Sequence, residues 1–118
     1  LDICDVYLDC TGFSGYTTAW LALHRGLPIV ALEGRYMRQR LAAGLLRKAG
    51  LADTIASSVD DYVAIAARLA AECRDPDRKK ALRAAVLAAA PSVDGDVQVV
   101  KSFEQCLTTA LEASAPRR

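Results

Sequence analysis

The stretch "LDCTGFSGYTTAWLALHRGLPIVALEG" occupies residues 8–34 and contains the pattern that decides the fold. It begins with an apolar run, breaks at Thr-Gly-Phe-Ser-Gly-Tyr, continues as a helical run and ends with a second apolar run after Gly-Leu-Pro. Two short apolar runs separated by a helix indicate a β-α-β unit with parallel strands. We call residues 11–16, which connect the first strand to the helix, the elbow.

Short apolar runs and longer helical patterns alternate along the chain, which predicts an α/β fold. At most three strands precede a series of helices, which is too little sheet for a complete doubly wound domain. We therefore expect the C-terminal part of a Rossmann-like domain, with a short parallel sheet and helices followed by C-terminal helices. The expected strands are 5–10, 27–34 and a short 53–58; the expected helices are 17–26, 35–50, 59–74, 75–90 and 97–113, with a loop at 91–96.

Cap residues mark several of the predicted helix ends. Gly26 and Gly50 each suit the position just after a helix, where positive φ is common. Ser58, with Asp61 three residues later, suits a helix N-cap. Pro76 suits the first turn of the next helix, where its missing N–H is not needed.

Length and charge place the chain among ordinary globular domains. The 118 residues are expected to form a single domain, and the absence of an initial Met favours a fragment of a longer protein. Fifteen basic and 14 acidic residues give a net charge of +1, so we expect neither a nucleic-acid partner nor a membrane surface. The Arg117–Arg118 pair is too short for a basic tail, and no apolar stretch reaches the roughly 20 residues of a membrane span.

The four cysteines are irregularly spaced and His24 is the single histidine, so no zinc-ligand pattern is present. We expect buried free thiols in a reducing, cytoplasmic environment and no metal site.

Two interpretations of the elbow follow from its residues. Ligands of open α/β sheets bind beyond the carboxyl ends of the strands, and a helix that starts near Thr17 presents free amides and a positive dipole there. A phosphate would suit such a site, with Thr17 and Thr18 hydroxyls as further donors and with Gly12 and Gly15 allowing close approach or positive φ. Alternatively, Ser14 or Thr17 caps the helix and the glycines turn the chain.

The stretch from Asp5 to Leu69 resembles the O-GlcNAc transferase family (glycosyltransferase family 41), including its bacterial SPINDLY-like relatives. The family elbow reads N-G-H-T-T where this chain has "SGYTT", and "RLAAGLLRKAGL" matches the family run R-V-A-x-S-L-L-x-x-x-G-L. The run "ALHRGLPIVA" is typical of many GT-B glycosyltransferases. This resemblance implies a GT-B fold, in which a nucleotide sugar lies in the cleft between two Rossmann-like domains.

The resemblance favours the phosphate-binding interpretation of the elbow. Gly15, Thr17 and Thr18 match the family residues that hold the UDP diphosphate, and Tyr16 stands where histidine is usual, so these four are the candidate donor-binding residues. Within the single domain, residues 1–58 would form the nucleotide-sugar-binding part and residues 59–118 the C-terminal helices.

The implied reaction is inverting transfer of a sugar, GlcNAc or another hexose, from a UDP-sugar to a protein or glycan acceptor, without a metal or other cofactor. Implied partners within the same polypeptide are an N-terminal GT-B half and, as in many family members, helical repeats. The histidine and lysine of the family's transfer chemistry lie upstream, so no catalytic residue is assigned here and the fragment alone is expected to be inactive.

Leu21 departs from the family, which has an aspartate that contacts the donor ribose at this position. This departure keeps two alternatives open: a degenerate glycosyltransferase-like module for binding or assembly, and a GT-B enzyme that uses another nucleotide sugar.

Four further residues have mainly structural interpretations. His24 is expected to pack or to interact with the helix C-terminus. Arg40, which matches a family arginine, is expected to form an ion pair or cap carbonyls, and Trp20 is expected in the core or at an interface. Asp9 ends a strand beside the elbow, where it could orient loop amides; its location alone would also allow a general base.

Overall fold

The computed structural model describes residues 3–114; Leu1, Asp2 and residues 115–118, which include the Arg117–Arg118 pair, lie outside the described part. Within residues 3–114, three strands, five α-helices and three short 3₁₀ segments follow one another. They are β1 (Tyr7–Leu8), α1 (Thr17–His24), β2 (Ile29–Leu32), a 3₁₀ turn (Met37–Gln39), α2 (Leu41–Lys48), a 3₁₀ turn (Ala52–Thr54), β3 (Ile55–Ala56), α3 (Val59–Glu72), α4 (Pro76–Ala89), a 3₁₀ turn (Ala90–Val93) and α5 (Val97–Ser114).

The three strands form one parallel sheet in the order β1-β2-β3. Tyr7 is paired with Ile29 at the first ladder, and Ala31 with Ile55 at the second. The predicted α/β fold and its three strands are therefore confirmed, although each strand is shorter than its apolar run.

The alternating side chains of β2 connect the two layers of helices. Ile29 and Ala31 belong to a core cluster that also contains buried residues of α1, α2 and α4. Val30 belongs to a second cluster, with Ile65 and Leu69 of α3. Because successive strand residues point to opposite faces, α1 and α2 lie on one face of the sheet and α3 lies on the other.

Gly26 ends α1 as predicted, and two observations show why glycine is required there. Its φ is +68°, a conformation that residues with a Cβ rarely adopt. A Cβ at this position would also lie 2.9 Å from the carbonyl oxygen of Arg83 in α4. The predicted glycine end at Gly50, with φ of +73°, is confirmed as well.

The predicted helix over residues 35–50 is wrong in its first third, because α2 begins at Leu41. The preceding residues are held by contacts of Gln39 instead. Its side-chain oxygen accepts a hydrogen bond from the Tyr36 amide, and its side-chain nitrogen donates to the Thr11 carbonyl oxygen in the elbow at 3.2 Å. These contacts with the elbow override the helical pattern of this segment.

The other predicted helix ends agree with the structure. The Asp61 amide donates to the Ser58 hydroxyl at 3.1 Å, which confirms the N-cap of α3. Pro76 lies in the first turn of α4, and Asp75 is its N-cap residue. Part of the expected loop at 91–96 forms a 3₁₀ turn with Ala90. The last helix, α5, is exposed along its whole length.

Candidate functional site

The three strands end at one edge of the sheet, and each is followed by a polar segment. Asp9 follows β1, Glu33 follows β2, and Ser57 follows β3. Since the carboxyl ends of parallel strands share an edge, the elbow, the segment before α2 and the start of α3 are neighbours.

Asp9 is the buried anchor of the elbow, with 3% of its surface exposed. Its Oδ2 accepts a hydrogen bond from the Ser14 hydroxyl at 2.6 Å, and its Oδ1 accepts one from the Gly15 amide at 2.9 Å. The Tyr62 hydroxyl of α3 donates to the Asp9 carbonyl oxygen at 2.8 Å. The prediction that Asp9 orients loop amides is therefore confirmed.

Ser14 links the elbow to α2. Its fully buried hydroxyl accepts a hydrogen bond from the Ala42 amide at 2.8 Å, and its own amide donates to the Arg38 carbonyl oxygen at 2.7 Å. The alternative interpretation, in which Ser14 or Thr17 caps α1, is wrong, because the N-cap residue is Tyr16 and α1 has no side-chain cap. The hydroxyl of Ser14 is directed toward Asp9 and caps the first turn of α2 instead.

The N-terminus of α1 lacks a side-chain cap. Its N-cap residue is Tyr16, which makes no side-chain hydrogen bond to the helix, and its first turn contains no acidic residue. The first helical hydrogen bond runs from the Trp20 amide to the Tyr16 carbonyl, so the amides before Trp20 have no carbonyl acceptor within the helix. Tyr16, Thr17 and Thr18 are exposed. The helix therefore presents uncompensated amides and the positive end of its dipole to solvent.

Gly15 allows a close contact at the base of the elbow. A Cβ on Gly15 would lie 2.7 Å from the Tyr7 hydroxyl oxygen, whereas a Cβ on Gly12 would meet nothing within 4 Å. Neither glycine has positive φ, and the close contact of Gly15 is with the Tyr7 hydroxyl, so the close approach of either glycine to a ligand stays a prediction. Burial raises the pKa of Tyr7, the nearby Asp9 adds to this increase, and a hydrogen bond with the Thr18 side chain opposes it.

Tyr16 and Leu21, two positions where the chain departs from the family pattern, both face solvent. Tyr16 is 55% exposed and Leu21 is 44% exposed. Tyr16 also lines a cleft of about 290 Å³ with Arg40, Leu41 and Lys48 of the α2 region. The apolar side chain of Leu21, one turn after Thr17 and Thr18, supplies no hydrogen-bond acceptor at its own position on this face of α1.

Glu33 forms a charge cluster that the sequence interpretation missed. It accepts hydrogen bonds from Arg40 at 2.7 Å and from both terminal nitrogens of Arg47. Arg47, followed by Arg40, lowers the pKa of Glu33 to about 2. The expected ion pair of Arg40 is therefore confirmed, and its structural role is to join the end of β2 to α2. Glu33 follows β2 while Arg47 lies in α2, so the contacts join two different elements and no periodicity within one element indicated the cluster.

Trp20 and His24 form a packed pair at the other end of α1. Their ring centroids lie 4.1 Å apart, and the indole nitrogen of Trp20 donates to Asp94 at 3.1 Å. His24 lies in the last turn of α1, with its Nε2 3.2 Å from an oxygen of Asp94. Trp20 is partly buried against the core, so the structural interpretations of both residues are confirmed.

The cysteines are free but less buried than expected. Cys73 is buried, whereas Cys4, Cys10 and Cys106 are exposed. Cys10 lies at the open start of the elbow, where the amides of Phe13 and Gly12 donate to its sulfur and lower its pKa. Among the described residues, no group of three or more His, Cys, Asp or Glu side chains could hold a metal ion.

Comparison with known proteins now identifies the family. The sequence profile described as "Glycosyl transferase family 41" matches residues 2–106. The chain belongs to this family. The family resemblance carried by the elbow and by the α2 region is thereby confirmed.

Two plant relatives of this family 41 chain are described as "Probable UDP-N-acetylglucosamine--peptide N-acetylglucosaminyltransferase SPINDLY". The protein from Oryza sativa subsp. japonica is 30% identical over 92 residues, which cover 78% of this chain and 10% of the relative. The protein from Hordeum vulgare is 31% identical over 93 residues, with the same two coverages of 78% and 10%. The chain thus spans 10% of the length of these relatives.

A solved structure supports the fold at the same level of identity. A mutant of the Thermobaculum terrenum O-GlcNAc transferase matches with a TM-score of 0.76 and 31% sequence identity, over 94% of this chain and 22% of that chain. The expected fold class, a short parallel sheet with helices from a Rossmann-like GT-B domain, is confirmed. No helix within residues 3–114 is long and apolar enough to span a membrane. The donor-binding roles of Gly15, Tyr16, Thr17 and Thr18 stay predictions.

Proposed function

We propose that this chain forms the donor side of a glycosyltransferase that transfers a sugar from a UDP-sugar to a protein or glycan acceptor. The observation that carries the proposal is the uncapped start of α1, with exposed Thr17 and Thr18, in a chain of family 41. The activity belongs to the longer polypeptide, because the chain matches 22% of an O-GlcNAc transferase and 10% of its plant relatives.

In this proposal, the diphosphate of the donor lies at the N-terminus of α1. The first-turn amides and the Thr17 hydroxyl donate to its oxygens, and the helix dipole favours their negative charge. As the bond to the sugar breaks, charge increases on the leaving diphosphate, and preorganised donors stabilise that charge without moving. This contribution requires neither a nucleophile nor a metal from this chain, and none of its residues is proposed to be catalytic.

Leu21 favours a second candidate function, namely a donor-binding or assembly module without transfer activity. It is exposed on the same face of α1 as the threonines and supplies no acceptor for a ribose hydroxyl. A third candidate is an enzyme that uses a different nucleotide sugar. It would bind the diphosphate at the same site and differ in the residues next to that site.

Titration of the full-length protein with UDP, followed by calorimetry, tests the proposed site. Replacing Thr17→Ala and Thr18→Ala together should weaken UDP binding roughly 10- to 100-fold, because the one hydrogen bond from the Thr17 hydroxyl to a charged group contributes about 1.5–3 kcal/mol and tenfold equals about 1.4 kcal/mol. The matched control is the other Thr-Thr pair, Thr108→Ala with Thr109→Ala on exposed α5, which should bind UDP like the unmodified protein.

Absence of UDP binding up to millimolar concentration, or equal binding by both double variants, would contradict a diphosphate site at α1. Competition among UDP, GDP and TDP distinguishes the nucleotide. Tight binding of UDP without any sugar transfer to protein or glycan acceptors would favour the second candidate over the first.

A further inference from the structure

We infer that Asp9 and Ser14 are positioning residues for the diphosphate site, because together they fix which amides of the elbow remain free for a ligand. The inference rests on the proposed function of α1. It concerns two residues that are buried beneath the elbow and cannot touch a ligand themselves, since Asp9 is 3% exposed and Ser14 is fully buried.

The Asp9 carboxylate is a strong constraint on the elbow. A buried carboxylate is costly unless its oxygens accept hydrogen bonds, so the structure retains the bonds that satisfy it. Here the two oxygens accept from two elbow donors, the Ser14 hydroxyl and the Gly15 amide, at 2.6 and 2.9 Å. Both donors come from consecutive residues, and the chain between them therefore has a fixed orientation.

This orientation determines which amides are available. The Gly15 amide is directed inward to Asp9 and is lost to any ligand. The chain then turns outward at Tyr16, and α1 begins at Thr17 with its first-turn amides unmatched by a cap. If the Gly15 amide were released, the turn could rotate and the first-turn amides would no longer converge on one point.

Ser14 fixes the elbow from the opposite side. While its hydroxyl donates to Asp9, the same oxygen accepts from the Ala42 amide at 2.8 Å, so one hydroxyl joins the end of β1 to the first turn of α2. The Ser14 amide adds a third bond, to the Arg38 carbonyl oxygen at 2.7 Å. The elbow is thus held between β1 and α2, both of which pack in the core.

Because Asp9 is charged, the inference can be tested by the direction in which the Kd of UDP changes when Asp9 is replaced by asparagine. A carboxylate beneath an anion site repels the anion, so electrostatics alone predicts that Asp9→Asn strengthens UDP binding. Positioning predicts the reverse, because the amide nitrogen of asparagine cannot accept a hydrogen bond from one of the two elbow donors.

The experiment measures the Kd of UDP and the free energy of unfolding for Asp9→Asn and Ser14→Ala in the full-length protein. We expect about tenfold weaker binding for Asp9→Asn and about three- to fivefold weaker binding for Ser14→Ala. In steady-state kinetics, the KM for the UDP-sugar should rise and kcat should fall as well, because the same amides stabilise the charge that develops on the leaving diphosphate. Ser14→Ala keeps the test informative if Asp9→Asn does not fold.

Ser58→Ala is the matched control, because Ser58 also accepts an amide of a helix first turn at the same edge of the sheet. A purely structural role for Ser14 predicts that both serine variants lose stability and neither changes the Kd. That result, or unchanged or tighter UDP binding by Asp9→Asn while the Thr17/Thr18 double variant binds weakly, would overturn the inference and leave the proposed function intact. If the Thr17/Thr18 double variant also binds normally, the proposed function itself fails.

Discussion

The N-termini of α1 and α3 lie at the same edge of one sheet, but they differ in side-chain capping and in the charge of the first turn. At α3, Ser58 accepts the Asp61 amide, and Asp60 and Asp61 place negative charge in the first turn. At α1, the N-cap residue makes no side-chain hydrogen bond and the first turn is uncharged. The same helix dipole is therefore neutralised by the protein at α3 and left open at α1.

The hydroxyl of Ser14, three residues before α1, serves α2. Its oxygen accepts from the Ala42 amide and donates to Asp9. A side-chain cap contributes about 1 kcal/mol, and α1 has none at its N-cap residue Tyr16. The first-turn amides of α1 are therefore the groups that a bound anion would satisfy under the proposed function.

The largest expected effect comes from giving α1 the acidic first turn that α3 already has. Thr17→Asp should weaken UDP binding by at least about 100-fold, because a carboxylate beside a diphosphate costs several kcal/mol. The same substitution should increase helix stability by about 0.3–1 kcal/mol through the dipole. Calorimetry and urea unfolding measure the two effects, which have opposite signs.

The matched control for this variant removes an acidic side chain from the first turn of α4, a helix that has a side-chain cap. Asp77→Asn in the first turn of α4 should lower stability by a few tenths of a kcal/mol and leave the Kd of UDP unchanged. Tight UDP binding by Thr17→Asp would show that the two helix ends do not differ in function.

A smaller effect distinguishes the capped N-termini of α3 and α4 from that of α1 by the free energy of unfolding alone. Ser58→Ala and Asp75→Ala should each lower the free energy of unfolding by about 1 kcal/mol, because each removes a side-chain acceptor from helix amides. Tyr16→Ala, at the corresponding position of α1, should change it by less than about 0.5 kcal/mol, since no cap is lost there. Urea unfolding of the three variants decides the matter, and equal losses at all three positions would contradict an uncapped α1.

Local signals in the sequence predicted most of this architecture. The strands, the cap at Ser58 and the ends at Gly26 and Gly50 depend on residues within one turn or one strand, and the structure confirms them. The elbow was also located correctly, since a strand followed by a glycine-spaced turn and a helix leaves few geometries.

Contacts between distant residues account for what the sequence did not show. Residues 35–40 have a helical pattern, but Gln39 bonds to Thr11, 28 residues earlier. Likewise, the Ser14 hydroxyl meets an amide 28 residues later in the chain, so its partner was invisible to a search for local caps. The ion pairs of Glu33 fall in the same class. The elbow residues that contact a ligand are determined by the shape and charge of that ligand. The hydrophobic periodicity of the sequence does not encode those properties.

The smallest expected effect is a pH dependence of stability that arises from the capped N-terminus of α3. The Ser57 amide and then the Ser57 hydroxyl donate to the Asp61 carboxylate and lower its pKa below the ordinary value of 3.8. Since the pKa in the folded state lies below that in the unfolded state, the contribution of Asp61 is fully present above about pH 4 and is lost as pH falls through the folded value. The difference in unfolding free energy between the unmodified protein and Asp61→Asn should therefore shrink as the pH is lowered below about 4.

The N-terminus of α1, which has no side-chain cap and no acidic residue in its first turn, provides the comparison for this titration. Between the unmodified protein and Asp61→Asn, the pH dependence of hydrogen exchange, corrected for intrinsic rate, should differ at the Tyr62 amide in α3 and be the same at the Trp20 amide in α1, because other carboxylates such as Glu33 titrate in both proteins alike. An equal difference at Trp20 and Tyr62 would mean that Asp61 stabilises the domain as a whole. A change at Tyr62 alone would show that α3 carries its own counter-charge, whereas α1 leaves that charge to be supplied from outside the fold.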